Sequence, residues 1–140
     1  MSIIDDAIVK LQAHALALST INVRGAPAYP TDDATILPLV ITHITDGTVM
    51  ADSATNARLL YTIAVDFHVS RISMRSAYTD VDKIIPEFSL RLAGDPTLGG
   101  TVDTIVFPFS FSVSGAMWNK QTTRMVSFKI PVKFMEAPTT

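Results

Sequence analysis

Between Leu59 and Val69 every second residue is apolar. Leu59, Tyr61, Ile63, Val65, Phe67 and Val69 alternate with Leu60, Thr62, Ala64, Asp66 and His68. A strand turns successive side chains to opposite faces, so this period predicts a strand from Arg58 to Ser70 with one face buried. The alternation returns at Ile105, Phe107, Phe109, Phe111 and Val113, predicting a strand within Thr101 to Ser114. It returns again at Val126, Phe128, Ile130, Val132 and Phe134. Ile36 to Thr45 is a β-branched run, and Asp46-Gly47 after it signals a turn. Pro38 stands near the start of that run, where a missing donor is tolerable. Pro108 and Pro131 fall inside the later patterns and predict that at least one of those strands is bent or lies at an edge.

A different period marks two helices. Ile4, Ile8, Leu11, Ala15 and Leu18 recur at spacings of three and four, predicting a helix from about Ser2 to Ser19. Ser2 suits its N-cap, and Asp5 and Asp6 favour the positive end of its dipole. Tyr78, Val81, Ile85, Phe88 and Leu92 predict a second helix. Pro86 inside it either kinks it or marks a late start.

The intervening stretches are polar or small. Asn22 to Thr35, with Gly25, Pro27 and Pro30, reads as a loop. Thr48 to Ala57 reads as an extended hairpin arm or loop that would expose Val49 and Met50. Ser114 to Thr123 reads as a loop carrying Trp118, which would either anchor an interface or fold back over the sheet edge. The order helix, strand, strand, helix, strand, strand, with alternation rather than solid apolar runs, predicts an α+β two-layer sandwich. Its mostly antiparallel sheet has four strands or slightly more, with two helices on one face. The 140 residues suffice for one domain spanning 1–140, and no linker divides them.

Candidate chemistry is sparse. The chain has no cysteine, which removes disulfides, thiolate metal sites and cysteine nucleophiles. His14, His43 and His68 form no metal-binding pair. Asp66 and His68 share a strand face and could share a metal or act as an acid–base pair, but outward polar residues on a half-solvated sheet are the expected reading. There is no G-x-S-x-G elbow and no phosphate-cradling lysine. Phe107, Phe109 and Phe111 lack interleaved basic residues and are expected in the core, not on a base-stacking platform. No catalytic residue, metal or cofactor is therefore expected. A pocket enzyme or ligand-binding domain would need polar groups converging on the apolar face, and the strand patterns place almost none there.

The charged fraction is low at 17% and the net charge is −2. That argues against a dedicated nucleic-acid binder. It also leaves neutral surface that self-association would cover. Acids gather early (Asp5, Asp6, Asp32, Asp33, Asp46, Asp52) and bases late (Lys120, Arg124, Lys129, Lys133), a polarity suited to head-to-tail packing of copies. No apolar run is long enough to span a membrane. The start lacks the basic flank of a signal peptide, so synthesis in the cytoplasm is expected.

The link from the second helix to the next strand reads Leu92-Ala93-Gly94-Asp95-Pro96-Thr97-Leu98-Gly99-Gly100-Thr101-Val102. Gly94 can take the left-handed backbone that ends a helix, Pro96 cannot continue one, and Gly99-Gly100 permits a tight turn. Leu98 is the large apolar residue expected to anchor the link, on its own core or on a neighbour. This helix, D-P-T-L-G-G-T-V link and strand resemble the tail-terminator (tail-completion) proteins of long-tailed bacteriophages.

The resemblance implies a structural virion protein and no enzyme. It would form a homo-oligomeric ring, usually hexameric, at the head-proximal end of the tail. The ring would end tail-tube polymerisation and dock to the head–tail connector, while DNA passes through its lumen without sequence-specific binding. Its partners would be other copies of the chain, the major tail-tube protein and the connector. Function would then lie in surfaces, with Val49, Met50, Leu98, Gly99, Gly100 and Trp118 as interface candidates. A neck adaptor of the stopper type is the alternative within the same class.

Overall fold

The computed structural model describes residues 3–19, 21, 23, 37–51, 56–70, 74–118 and 121–136. Two helices and five strands follow in chain order: α1 (Ile3–Leu16), β1 (Leu39–Ala51), β2 (Ala57–Ser70), α2 (Met74–Ala93), β3 (Thr104–Ile105), β4 (Ser110–Trp118) and β5 (Gln121–Glu136). The strands form one open antiparallel sheet in the order β1-β2-β5. The short β3 and the longer β4 share the far side of β5. This is the predicted α+β two-layer arrangement.

The period-two residues of β2 and β5 point to the helix side. Ile63, Val65, Phe67, Val126, Phe128, Ile130 and Val132 are buried there against Ala7, Leu11 and Ala15 of α1 and Ala77, Val81, Ile84, Phe88 and Leu92 of α2. Phe67, Phe88 and Phe128 meet at the centre with ring centroids 4.9–5.9 Å apart. Ring pairs at these spacings and tilts add about 0.5–1.5 kcal/mol each beyond the area they bury. α1 lies over β1, and α2 over β2 and β5. Neither helix packs extensively on β4.

Pro86 lies inside α2, which runs unbroken from Met74, so the late start is excluded. Pro86 is exposed. The donor it lacks would have served the Asp82 carbonyl on an exposed stretch, where water can substitute.

Three predicted boundaries move. β1 continues through Asp46-Gly47 to Ala51, because a bulge between Ile44 and Asp46 absorbs the extra residue while pairing with β2 resumes. A Cβ on Gly47 would lie 2.6 Å from Tyr61 Cδ1 and 2.8 Å from the Leu60 carbonyl oxygen. The glycine therefore marks a close approach within a strand, not a turn. The predicted strand within Thr101–Ser114 is split by the break at Val106–Phe109. The predicted loop from Ser114 is instead mostly strand, since β4 runs to Trp118 and pairs with β5 from Gln121 onward.

The break sits opposite Pro131. The Val106 N–H donates to the Pro131 carbonyl at 2.8 Å. A strand residue's amide and carbonyl point the same way, so the donor that proline lacks would have faced this break too. The predicted loop from Asn22 to Thr35 lies, apart from Val23, outside the described residues.

Candidate interaction surfaces

The link after α2 is built around Asp95. Its carbonyl accepts from the Leu98 N–H at 3.1 Å, and its Oδ1 accepts from the Gly99 N–H at 2.9 Å. Its Oδ2 lies 2.8 Å from His14 Nε2 of α1, so one side chain ties the turn to the first helix. The carboxyl is held below the ordinary carboxylate range, first by the Gly99 amide and next by the His14 hydrogen bond. The turn closes where the Gly100 and Val102 amides donate to the Thr97 carbonyl and the Ile105 amide donates to that of Pro96.

Left-handed backbone falls at Leu98 (φ 49°), Gly99 (φ 67°) and Gly100 (φ 84°), not at Gly94. A leucine there is uncommon, and its complete burial in the chain's own core accounts for it. Leu98 is thus closed to a neighbour, while Gly99 and Gly100 are exposed. The Lys10 side chain lies over Gly99, and Gly100 faces open space.

The outer half of the β1–β2 hairpin carries the second candidate surface. Ile44 to Ala51 are all exposed, with Val49 at 66% and Met50 at 59%. The register puts Val49 opposite Leu59 on the helix side and Met50 opposite Arg58 on the other. The tip of the arm, residues 52–55, lies outside the described residues.

The third surface was not legible in the sequence. Along β4, Phe111 is 49% and Met117 70% exposed, and Phe107 in the preceding break is equally open. Phe109 and Val113 are half-buried at the margin of the core. The expected burial of all three phenylalanines is corrected. They do lean on the core, through Phe109–Phe128 and Phe111–Phe128 centroid distances of 6.4 and 6.0 Å. No helix closes over them. Beside them the Arg124 guanidinium stands 4.0 Å from the Tyr78 ring centroid, a cation–π contact that joins β5 to α2. Trp118 is the last residue of β4, paired across to Gln121. Pro108 inside an alternating run was the one sequence signal of a disturbed edge.

The sheet face away from the helices holds a polar cluster. His43 Nε2 lies 3.1 Å from Asp66 Oδ2, and His68 Nδ1 lies 2.9 Å from Thr123 Oγ1. His68 is only 5% exposed, so it is not the outward residue expected. Burial pushes its imidazole below the ordinary value, partly opposed by Asp66. Thr123 is wholly buried and Ser127 nearly so, which keeps either hydroxyl from a substrate. Both histidines have a partner, while Asp66 Oδ1 is buried without one among the described residues, and with its hydroxyls closed off the cluster reads as structural. Among the described residues no group of three or more His, Asp or Glu is placed to hold a metal ion.

Neither a known protein family nor a curated protein matches the chain.

Proposed function

We propose that the chain is a structural phage tail protein that forms a ring at the head-proximal end of the tail tube, ends tube polymerisation and docks to the head connector. The observation that carries this reading is that exposed apolar residues stand on both sides of the sheet, apart from those on the helices such as Val9, Leu16 and Leu90. Val49 and Met50 stand at one side of the sheet, and Phe107, Phe111 and Met117 at the other. A ring joins two different patches of each subunit, and two separate patches are what such an arrangement needs. The D-P-T-L-G-G-T-V link, held by Asp95 and His14, adds the resemblance that names the tail end. In this reading the protein works through contacts and not through chemistry.

The test is to locate the protein on particles. Antibody labelling should mark the head–tail junction, and negative-stain images of the purified chain at high concentration should show rings. Label elsewhere on the particle, or a single copy per particle, overturns the proposal.

A further inference from the structure

The two sides of the sheet end differently from most sheet edges. Natural edge strands are guarded by lysine, proline or inward charges, because an open row of amides and carbonyls invites another strand. β4 has nine residues, Ser110 to Trp118, with no charge and no proline. Among the described residues nothing pairs with its outer side, nor with the outer side of β1. The outer half of β1, Ile44 to Ala51, is exposed on both faces and carries a single formal charge, Asp46.

We infer that β4 of one copy pairs antiparallel with the outer half of β1 of the next copy, so that the sheet continues from subunit to subunit. The inference rests on the ring reading above and names the surfaces that would close it. Strand direction supports it. Along the row β1-β2-β5-β4 every neighbour is antiparallel, so β4 runs opposite to β1. Copies related by rotation about an axis to which the strands are inclined then present β1 antiparallel to the preceding β4, and the helix face stays on one side throughout.

Charge separates this pairing from its rivals. β5 places Arg124 opposite Gly115 and Lys129 opposite Ser110, so β4 has basic flanks. β1 has Asp46, and α1 above it has Asp5 and Asp6 in its first turn. Arg58, one strand further in from β1, and Asp5 on α1 are each engaged in contacts of their own, as Arg124 is with Tyr78, so the comparison rests on Lys129 beside β4 and on Asp46 and Asp6 on the β1 side. Joining β4 to β4, or β1 to β1, would set like charges together, whereas β4 to β1 sets opposite ones together.

The two segments sit at opposite ends of β5. β4 lies against its first half, and the outer part of β1 is reached through β2 from its second half. Pairing them staggers the strands, and stagger with tilt is what closing a sheet on itself requires.

The absence of native cysteine makes the test clean. Thr48→Cys and Met50→Cys in β1, and Ser112→Cys and Ser114→Cys in β4, are exposed positions on the same sheet face. Each variant is treated with a short bis-maleimide alone and in pairwise mixtures at millimolar protein. The expected result is dimer in β1-plus-β4 mixtures, at least several-fold above any variant alone. Dimer from single variants only points to like-with-like pairing and overturns the inference. No dimer in any sample overturns it as well, and leaves the tail-end reading standing if particle labelling still marks the head–tail junction. Mixed dimers in open chains, or labelling away from that junction, keep this pairing and overturn the tail-end reading.

Discussion

Phe67, Phe88 and Phe128 and the trio Phe107, Phe109 and Phe111 are linked by ring contacts, yet they lead different lives. The first three, Phe88 from α2 and Phe67 and Phe128 from the strands under it, are closed to water. The second trio sits where the sheet extends past the helix layer, and two of its members are about half exposed. Phe67 and Phe128 share residue type and period-two alternation with the second trio. What differs is whether a helix covers the strand, and that decides whether a phenylalanine is buried in the core or left open to water.

The largest expected effect tests whether Leu98 belongs with the covered set. Leu98→Asp would bury an unpaired carboxylate at a cost of several kcal/mol, and the chain should lose its cooperative melting transition. Thr97→Asp, at an exposed position whose side-chain oxygen accepts from the Gly100 amide, should shift stability by about 0.5 kcal/mol or less. Equal melting temperatures for the two variants would remove Leu98 from the core.

Next in size, Phe88→Ala or Phe128→Ala should cost about 3–5 kcal/mol in denaturant unfolding, through lost transfer energy and the cavity left behind. Phe111→Ala should cost under half of either value and should instead lower the tendency to associate. A Phe111→Ala loss as large as that of Phe128→Ala would erase the contrast between the two trios.

Gly47→Val addresses the uncovered arm. Its added Cβ meets the Tyr61 ring and the Leu60 carbonyl, and backbone cannot swing aside as a flexible side chain can. A loss of about 1–3 kcal/mol is expected, with hydrogen exchange quickening first in β1 beyond the bulge. Unchanged exchange there would mean that the close approach is not maintained.

The smallest effects are those of pH, and they again divide a buried group from a surface one. The folded-state value of His68 lies below its unfolded value, because burial disfavours the charged ring. Its stabilisation is therefore complete at high pH and is lost as pH falls below about 6.5, where the unfolded chain takes up the proton. Asp95 is also lowered, here by hydrogen bonds to its carboxylate. Its stabilisation holds above the unfolded value of about 3.9 and is lost as pH drops through the folded one. His68→Gln should flatten the melting temperature between pH 7 and 5, and Asp95→Asn should flatten it below pH 4. If either variant keeps the wild-type slope in its window, the named group is not its source.

The sequence by itself determined β2 and β5, the two helices, their apolar faces and the α+β class, because each is a periodic pattern confined to neighbouring residues. It also placed the turn at Gly99-Gly100, which φ values of 67° and 84° require of glycine. Only the tertiary structure decided the rest. The His14–Asp95 bond joins residues 81 apart in the chain. Asp46-Gly47 reads locally as a turn, and the β2 partner strand made it the start of six further strand pairs just past a bulge. The alternation through Phe107, Phe109 and Phe111 shows which residues tend to share a face. Whether anything covers that face depends on where α2 is packed, and local periodicity carries no record of that.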